Sequence, residues 1–306
     1  MKKIIIILVV IAIIGVALYF LVYLPRKNAA LNQTEETNTT ENQETNPVVE
    51  TTTEEQENKT ETAIGKSVQG VDIMAYHYGS GEQEIIFIGG IHGGYAWNTV
   101  LLAYNIMDYL KANPALIAGN IKVTVIPALN PDGLKKVVGK TGRFDYTDVS
   151  DSQAVNVSGR FNANNVDINR NFDCEWKANG VWQETTVSGG SKPFSEPESI
   201  AIRDYVQTNK PIAVVSWDSA AAGVFSSNCG SEEILPETQS IANIYSKASN
   251  YLAYKDFTFY ELSGDMINWL AKNEIPAISV LLSTHNSIEL DKNLAGVKAL
   301  LEHYGK

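Results

Sequence analysis

Apolar runs and helical patterns alternate through most of the chain. Four runs are nearly continuous in apolar residues: Glu84–Gly89, Ile121–Pro127, Ile212–Trp217 and Ala277–Leu282. Strands of this kind are covered by helices on both faces of a sheet. Apolar residues at helical spacing predict helices over 96–112, 196–208, 237–252, 265–273 and 289–304. The pattern predicts an α/β/α sandwich around a mixed, largely parallel sheet, with a ligand site beyond the carboxyl ends of its strands.

One predicted helix carries a recognisable start signal. Ser195 and Glu198 flank the beginning of the helix over 196–208. A serine followed three residues later by a glutamate is typical of a capping box, in which each side chain bonds the other residue's backbone N–H. We therefore expect Ser195 to cap this helix.

The first 63 residues have a different pattern. No residue from Ile4 to Leu24 is charged, and a helix of this length would cross the roughly 30 Å hydrocarbon core of a membrane. We expect residues 1–27 to form a transmembrane signal anchor. A cleaved signal peptide is the alternative, although its apolar region usually has only ~7–15 residues. Residues 28–63 are rich in Thr, Glu and Asn and predict a disordered acidic linker, and one globular domain follows over 64–306.

Charge narrows the choice of partners and of compartment. The chain of 306 residues has a formal net charge of −11 and no long Lys/Arg-rich stretch, so we expect no nucleic-acid partner. Lys2 and Lys3 precede the apolar segment, and Arg26 and Lys27 follow it. With the α-amine, this slightly favours a cytoplasmic N-terminus. We expect a single-pass membrane protein whose C-terminal domain lies outside the cytoplasm.

Polar clusters follow the predicted strands in a recognisable order. They are Gly90–Asn98, Asn130–Gly133, Arg160–Asn164, Val166–Phe172, Asp218–Ala221 and Tyr260–Asp265. Together they resemble the zinc metallocarboxypeptidases of the carboxypeptidase A type, most specifically through Asn130–Gly133 and Val166–Phe172. The runner-up with the same fold is the deacylase branch that resembles succinylglutamate desuccinylase and aspartoacylase. The substrate-side motifs favour the peptidase branch.

The resemblance implies a zinc ion held by two His and one Glu, with a second Glu as general base. His92 matches the first ligand. The ligand Glu is expected three or four residues later, where this chain has Tyr95 and Ala96. Asp218 stands at the place of the second His and Leu281 at the place of the general base. His92 and Asp218 therefore form at most a weak remnant of a metal site. The alternative interpretation is that His92 has a purely structural role.

The residues that hold the substrate in this family match better. Arg160 matches the arginine that polarises the scissile carbonyl, and Asn169 with Arg170 matches the pair that clamps the terminal carboxylate. Tyr260 matches the tyrosine that closes over the bound C-terminus. Asp265 lies where the side-chain pocket is lined, so it either selects a cationic or amino-bearing side chain or caps the helix that follows.

Cysteines and the remaining histidines complete the set of candidates. Cys174 and Cys229 fall in loops near one sheet edge, and in an exported domain we expect them to pair and brace the site. Two buried free thiols are the alternative. No ligand-spaced partner accompanies the other histidines, which we interpret as structural: His77, His285 and His303.

The sequence thus predicts a membrane-tethered metallocarboxypeptidase homologue that is catalytically impaired. We expect it to recognise the C-terminal carboxylate of a peptide or of a cell-wall stem peptide, with no cofactor. One alternative is an active zinc carboxypeptidase with an altered ligand set, for which zinc is the cofactor. Another is a non-catalytic interaction domain whose pocket is vestigial.

Overall fold

A computed structural model of the chain describes residues 60–231 and 233–306. The predicted signal anchor over 1–27, and the predicted linker up to residue 59, lie outside the described residues. Within the described ranges, no helix is long and apolar enough to cross a membrane. The first strand begins at Glu61, slightly before the predicted start of the domain at residue 64.

An eight-stranded mixed sheet forms the centre of the domain. In spatial order its strands are β1 (Glu61–Lys66), β2 (Asp72–Tyr78), β4 (Ile121–Ile126), β3 (Gln83–Ile88), β7 (Ala213–Ser219), β10 (Ala277–Leu282), β8 (Gly223–Ser226) and β9 (Leu252–Tyr254). The central run β4–β3–β7–β10 is parallel, and so is the pair β8–β9. The pairs β1–β2, β2–β4 and β10–β8 are antiparallel. The predicted mixed, largely parallel sheet is confirmed.

Helices cover both faces of this sheet. They are α1 (Trp97–Ala112), α2 (Pro131–Val138), α3 (Gln153–Ser158), α4 (Pro197–Asn209), α5 (Pro236–Ser249), α6 (Met266–Lys272) and α7 (Leu290–Tyr304). Successive side chains of a strand point to opposite faces, so Phe87 of β3 packs with α1, α5 and α7, while Ile88 packs with α4 and α6. This double burial explains why the central strands are almost wholly apolar.

The predicted elements agree closely with the observed ones, with two differences. The predicted helix over 237–252 ends at Ser249, because Asn250 adopts a left-handed conformation (φ 59°) and the chain then enters β9. The predicted capping box at Ser195 is wrong. Ser195 donates its hydroxyl to Glu196 Oε1 at 2.8 Å, and Glu198 accepts from the backbone N–H of Val68 at 3.2 Å, so neither side chain serves the helix start.

Several short elements have no counterpart in the sequence prediction. They include the two outermost strands at each end of the sheet, β1, β2, β8 and β9, and the helices α2 and α3. A hairpin also lies outside the main sheet, with strands β5 (Asn179–Trp182) and β6 (Thr185–Ser188). The start of α2 is explained by the chain itself, because Asn130 accepts the N–H of Gly133 at 2.8 Å and Pro131 occupies the first helical turn.

Parallel strand ends bring the predicted site residues to one edge of the sheet. The chain leaves β3 through Gly89 and Gly90 and reaches His92 just before a 3₁₀ turn over Gly93–Ala96. On the neighbouring strands, Asp218 of β7 is the register partner of Leu281 of β10. The carboxyl ends of the strands therefore converge on one place, as expected for a fold of this class.

Candidate functional site

A cavity of about 530 Å³ opens at these strand ends. All eight side chains that the sequence singled out for the site line it: His92, Arg160, Asn169, Arg170, Asp218, Tyr260, Asp265 and Leu281. Its size lies within the range of small-ligand sites, which is about 300–1,000 Å³. The structure therefore brings the predicted residues together, while the roles assigned to them remain predictions.

His92 lies at the bottom of the cavity between two carboxylates. Its Nε2 is 3.2 Å from Oδ2 of Asp218, and its Nδ1 is 3.4 Å from Oδ1 of Asp167. Burial of the ring and the nearby Arg160 disfavour the imidazolium, but Asp218 and Asp167 outweigh both and raise the pKa of His92. Burial opposes ionisation of Asp218 as well, yet His92 and Arg160 hold the pKa of Asp218 below its ordinary value. The arrangement is a buried ion pair between His92 and Asp218.

Arg160 is fixed on the other side of Asp167. Its Nε donates to Asp167 Oδ2 at 2.9 Å, and its Nη2 lies 2.7 Å from the same oxygen without hydrogen-bonding geometry. The guanidinium carbon lies 4.5 Å from the ring centre of Trp182, which is a cation–π contact. Burial would raise the pKa of Asp167, but Arg160 and His92 lower it far more. Asp167 therefore remains a carboxylate that holds Arg160 by a hydrogen bond and lies close to Nδ1 of His92.

Tyr95, rather than Ala96, faces the cavity. Ala96 is buried, with 1% of its surface exposed, and it precedes the first turn of α1. The ring of Tyr95 packs against His285 at 4.4 Å and against Trp182 at 5.0 Å between ring centres. Of the two spacings left open by the sequence, the structure therefore places the residue three positions after His92 at the site.

The donor atoms around His92 do not fit a zinc site of two histidines and one glutamate. Both ring nitrogens of His92 already face carboxylates, and Leu281 offers no donor atom. In residues 60–231 and 233–306 there is no group of three or more His, Cys, Asp or Glu side chains that could hold a metal ion.

Asn169 and Arg170 are held by the surrounding backbone. Asn169 Oδ1 accepts the N–H of Met266 at 3.0 Å. Its side-chain NH₂ group therefore remains available as a donor toward the cavity. Arg170 donates Nε and Nη2 to the carbonyl of Val181, at 3.2 and 2.8 Å, and Nη1 to the carbonyl of Asn169 at 2.7 Å. Each terminal nitrogen keeps a second hydrogen, because a guanidinium carries five N–H donors. The pair is thus pre-oriented for an anion.

Tyr260 borders these donors. Its ring centre lies 5.8 Å from the guanidinium carbon of Arg170. Burial raises the pKa of Tyr260 and outweighs the opposing effect of Arg160 and Arg170, so its hydroxyl stays protonated near neutral pH. A protonated hydroxyl can donate a hydrogen bond to a carboxylate.

Asp265 caps the N-terminus of α6, which is one of the two roles predicted for it. Its Oδ2 accepts the N–H of Asn268 at 3.3 Å, and its Oδ1 accepts the side-chain NH₂ of Asn268 at 2.6 Å. Burial raises the pKa of Asp265 to about 6, although Arg170 and the bonds from Asn268 oppose this. Asp265 also borders the cavity, so its role as a selector of side chains stays a prediction.

Cys174 and Cys229 form the predicted disulfide, with 5.7 Å between their Cα atoms. The bond joins the segment that follows Arg170 to the loop that follows β8. The two free thiols considered as the alternative are excluded by this geometry. Neither cysteine is among the residues that line the cavity, so the role of the bond in bracing the site stays a prediction.

Sequence reasoning assigned no role to several residues of the cavity. Asp167 stands within the motif Val166–Phe172, and its position two residues before the pair Asn169–Arg170 is the signal that the sequence offers. Trp182 follows no periodic pattern, because it comes from the hairpin β5–β6. His285, interpreted as structural, also lines the cavity, and burial lowers its pKa so that its ring is neutral.

The chain is similar to zinc carboxypeptidases and to a murein peptide amidase. The model of the family Peptidase M14, zinc carboxypeptidase, matches residues 46–291. Carboxypeptidase Z of Rattus norvegicus is 28% identical over 168 residues, which cover 48% of this chain and 24% of that protein. Murein peptide amidase A of Vibrio campbellii is 27% identical over 257 residues, which cover 80% of this chain and 88% of that protein. This chain therefore spans only a quarter of the first relative but most of the second.

A solved structure shows the same fold. The murein-tripeptide amidase from Escherichia coli O157 superimposes with a TM-score of 0.55 and 22% sequence identity. The match covers 79% of this chain and 92% of the amidase. The carboxypeptidase-like α/β architecture predicted from the sequence is confirmed.

Proposed function

Because the chain belongs to the Peptidase M14 zinc carboxypeptidase family, we propose that it binds the C-terminal carboxylate of a peptide in this cavity without hydrolysing it. One observation carries the proposal. His92 is paired with Asp218 at 3.2 Å, whereas the donors of Asn169, Arg170 and Tyr260 still border the cavity.

Loss of hydrolysis follows from the residues at the strand ends. Leu281 cannot accept a proton, and a missing general base typically lowers a rate about 10²–10⁴-fold. A bound metal would lower the pKa of its water to about 7, but His92 and Asp218 neutralise one another instead of binding one. Two alternatives remain. One is an active zinc enzyme with an altered ligand set, and the other is a non-catalytic interaction domain whose pocket is vestigial.

Recognition of a carboxylate follows from the donors that remain. Arg170 is a buried cation with unused N–H groups, and a guanidinium binds a carboxylate through two parallel hydrogen bonds. Asn169 and Tyr260 each supply one neutral donor beside it. The likeness to murein peptide amidase A supports a cell-wall peptide as one source of this carboxylate, alongside other peptides.

The binding test compares one peptide with a free and with an amidated C-terminus. Calorimetry on the full chain should show roughly 10–100-fold tighter binding of the free form, as expected for a charge-assisted contact of about 1.5–3 kcal/mol. Asn169→Asp should remove this preference, because Asp keeps the acceptor for Met266 N–H but turns a carboxylate toward the ligand. Asn243→Asp, an equal change of charge on the exposed surface of α5, should keep it. Equal affinity for both peptides would contradict carboxylate recognition and favour the non-catalytic interaction domain.

We also propose that residues 4–24 anchor the protein in a membrane with the C-terminal domain outside the cytoplasm. The uncharged N-terminal run and the acidic linker support this. Cell fractionation should place the full chain in the membrane fraction, and protease added to intact cells should release the domain. Recovery of the intact chain in the cytosol would contradict the proposal.

A further inference from the structure

We propose that a groove between α1 and the segment that follows α2 binds a neutral oligosaccharide. The groove has a volume of about 340 Å³ and shares no lining residue with the cavity at the strand ends. Residues 101, 104, 105 and 108 line it from one side of α1, and residues 140 and 143–146 line it from the segment after α2. The inference goes beyond the proposed function and does not depend on it.

Tyr146 supplies an aromatic surface for a sugar ring. It is 52% exposed, so much of its ring is open to a ligand. Trp97, which is 6% exposed, packs against this ring nearly at right angles, with 5.2 Å between the ring centres. The ring is thus held in place before any ligand binds. One face of a pyranose carries mostly C–H groups, and the negative face of an aromatic ring attracts their partial positive charge.

Arg143 and Asp108 form a fixed polar pair in the same groove. Arg143 Nη1 donates to Oδ2 of Asp108 at 2.8 Å, and Nη2 donates to Oδ1 at 2.7 Å. The guanidinium carbon lies 4.7 Å from the ring centre of Tyr104, which holds the guanidinium from one side. Within the described residues, these bonds use two of the five N–H donors of Arg143, and each carboxylate oxygen keeps a lone pair. The pair therefore offers donors and acceptors side by side, which suits hydroxyl groups that both donate and accept.

Two neutral groups on α1 complete the groove. Asn105 donates Nδ2 to the carbonyl of Leu101 at 2.8 Å, so its Oδ1 is left as an acceptor. Tyr104 also lines the groove, and burial raises the pKa of Tyr104 to about 12, so its hydroxyl is protonated at neutral pH. These groups can bond a hydroxyl or an amide of a sugar without any change of charge.

The charges of the groove favour a neutral ligand over an ion. Lys140 pairs with Asp148, with 2.6 Å between Nζ and Oδ2, as Arg143 pairs with Asp108. Asp145 adds a further carboxylate to the lining. An anion would have to compete with a carboxylate at each cation, and an apolar ligand would leave these polar groups without partners. A ligand with hydroxyl groups on the edge of an apolar ring meets neither cost.

Calorimetry of the full chain with three trisaccharides tests the proposal: tri-N-acetylchitotriose, cellotriose and maltotriose. At least one of them should bind saturably. Tyr146→Ala should lower the affinity for it about three- to tenfold, whereas Tyr146→Phe should retain it, because the face of the ring makes the contact. Asp108→Ala should also weaken binding, since it removes two acceptors and releases Arg143. Phe259→Ala removes a comparably exposed ring (61% exposed) from the cavity at the strand ends, and it should leave the affinity unchanged.

A peptide with a free C-terminus should not compete with the sugar, because the two sites share no residue. Three results would overturn the inference. Absence of saturable binding for all three trisaccharides would exclude a neutral oligosaccharide as the ligand. Equal affinity of the unaltered chain and of Tyr146→Ala would place the sugar outside this groove. Competition by the peptide, together with weaker sugar binding in Phe259→Ala, would place the sugar in the cavity at the strand ends.

Discussion

His92 meets two carboxylates and Arg160 at the buried end of the cavity. The pair His92–Asp218 lies 3.2 Å apart, and Arg160 is bound to Asp167 on the far side of the ring. A buried charge is costly unless it is paired, so each of these groups depends on its partners. The site is thus a closed electrostatic network whose members cannot be exchanged singly at low cost.

Metal content follows from this network. We expect the purified full chain to hold much less than one zinc per molecule, because His92 and Asp218 satisfy one another and Tyr95 is a poor ligand. Elemental analysis after gentle purification checks this. About one tightly held zinc per chain would instead establish the altered-ligand enzyme.

Three substitutions should create a zinc site here. Tyr95→Glu with Asp218→His supplies the missing ligands beside His92, and Leu281→Glu supplies the base, so we expect about one zinc per chain and chelator-sensitive cleavage. The matched control places the glutamate at Ala96 instead of Tyr95. Because Ala96 is buried away from the cavity, that triple variant should gain little zinc. If both triple variants bind zinc equally, the ligand position is not the one three residues after His92.

At the scale of the helix, Asp265 couples the cap of α6 to pH. Its pKa is raised to about 6 in the folded protein by burial, so its contribution to stability is fully present below the unfolded value near 4 and is lost as pH rises through about 6. The shift corresponds to roughly 3 kcal/mol. Asp265→Asn keeps a good capping residue but does not titrate.

Urea unfolding between pH 4 and 7 measures this effect. The free energy of unfolding of Asp265→Asn, relative to that of the unaltered chain, should rise as pH increases from about 4 to above 6. A constant difference between the two proteins over this range would show that Asp265 ionises normally despite its burial. The pH dependence of this difference is the informative quantity. The loss of one hydrogen bond to Asn268 changes the free energy of unfolding by the same amount at every pH.

The central elements could be predicted from the sequence, because strands buried on both faces and long amphipathic helices carry their own pattern. Strand β10 over Ala277–Leu282 agrees residue for residue. Edge strand β9 and hairpin β5–β6 could not be predicted, since they are short and partly exposed and depend on tertiary contacts. Likewise, Arg160 could be found from its motif, but its stacking on Trp182 depends on that hairpin. Ser195 shows the converse, a local signal overridden by a neighbouring Glu196.

At the scale of the whole domain, the disulfide spans 55 residues of sequence and joins the segment after Arg170 to the loop after β8. A loop of that length loses conformational freedom worth roughly 4 kcal/mol in the unfolded chain. Replacing both cysteines by serine should therefore lower the free energy of unfolding by up to that amount, as measured in urea. Reduction of the unaltered protein should have the same effect and should not affect the double variant. Unchanged stability on reduction would show that the bond contributes little.

The redox state of the same bond offers a test of the proposed location of the domain. Cytosolic reductants keep protein thiols reduced, whereas an exported domain meets oxidising conditions. Cys174 is 2% exposed and Cys229 is half-buried, so a reductant reaches the bond from the side of Cys229. Alkylation of free thiols after rapid acid quenching of living cells would separate the two populations by mass. If the proposed topology holds, the oxidised fraction measures how many copies have crossed the membrane.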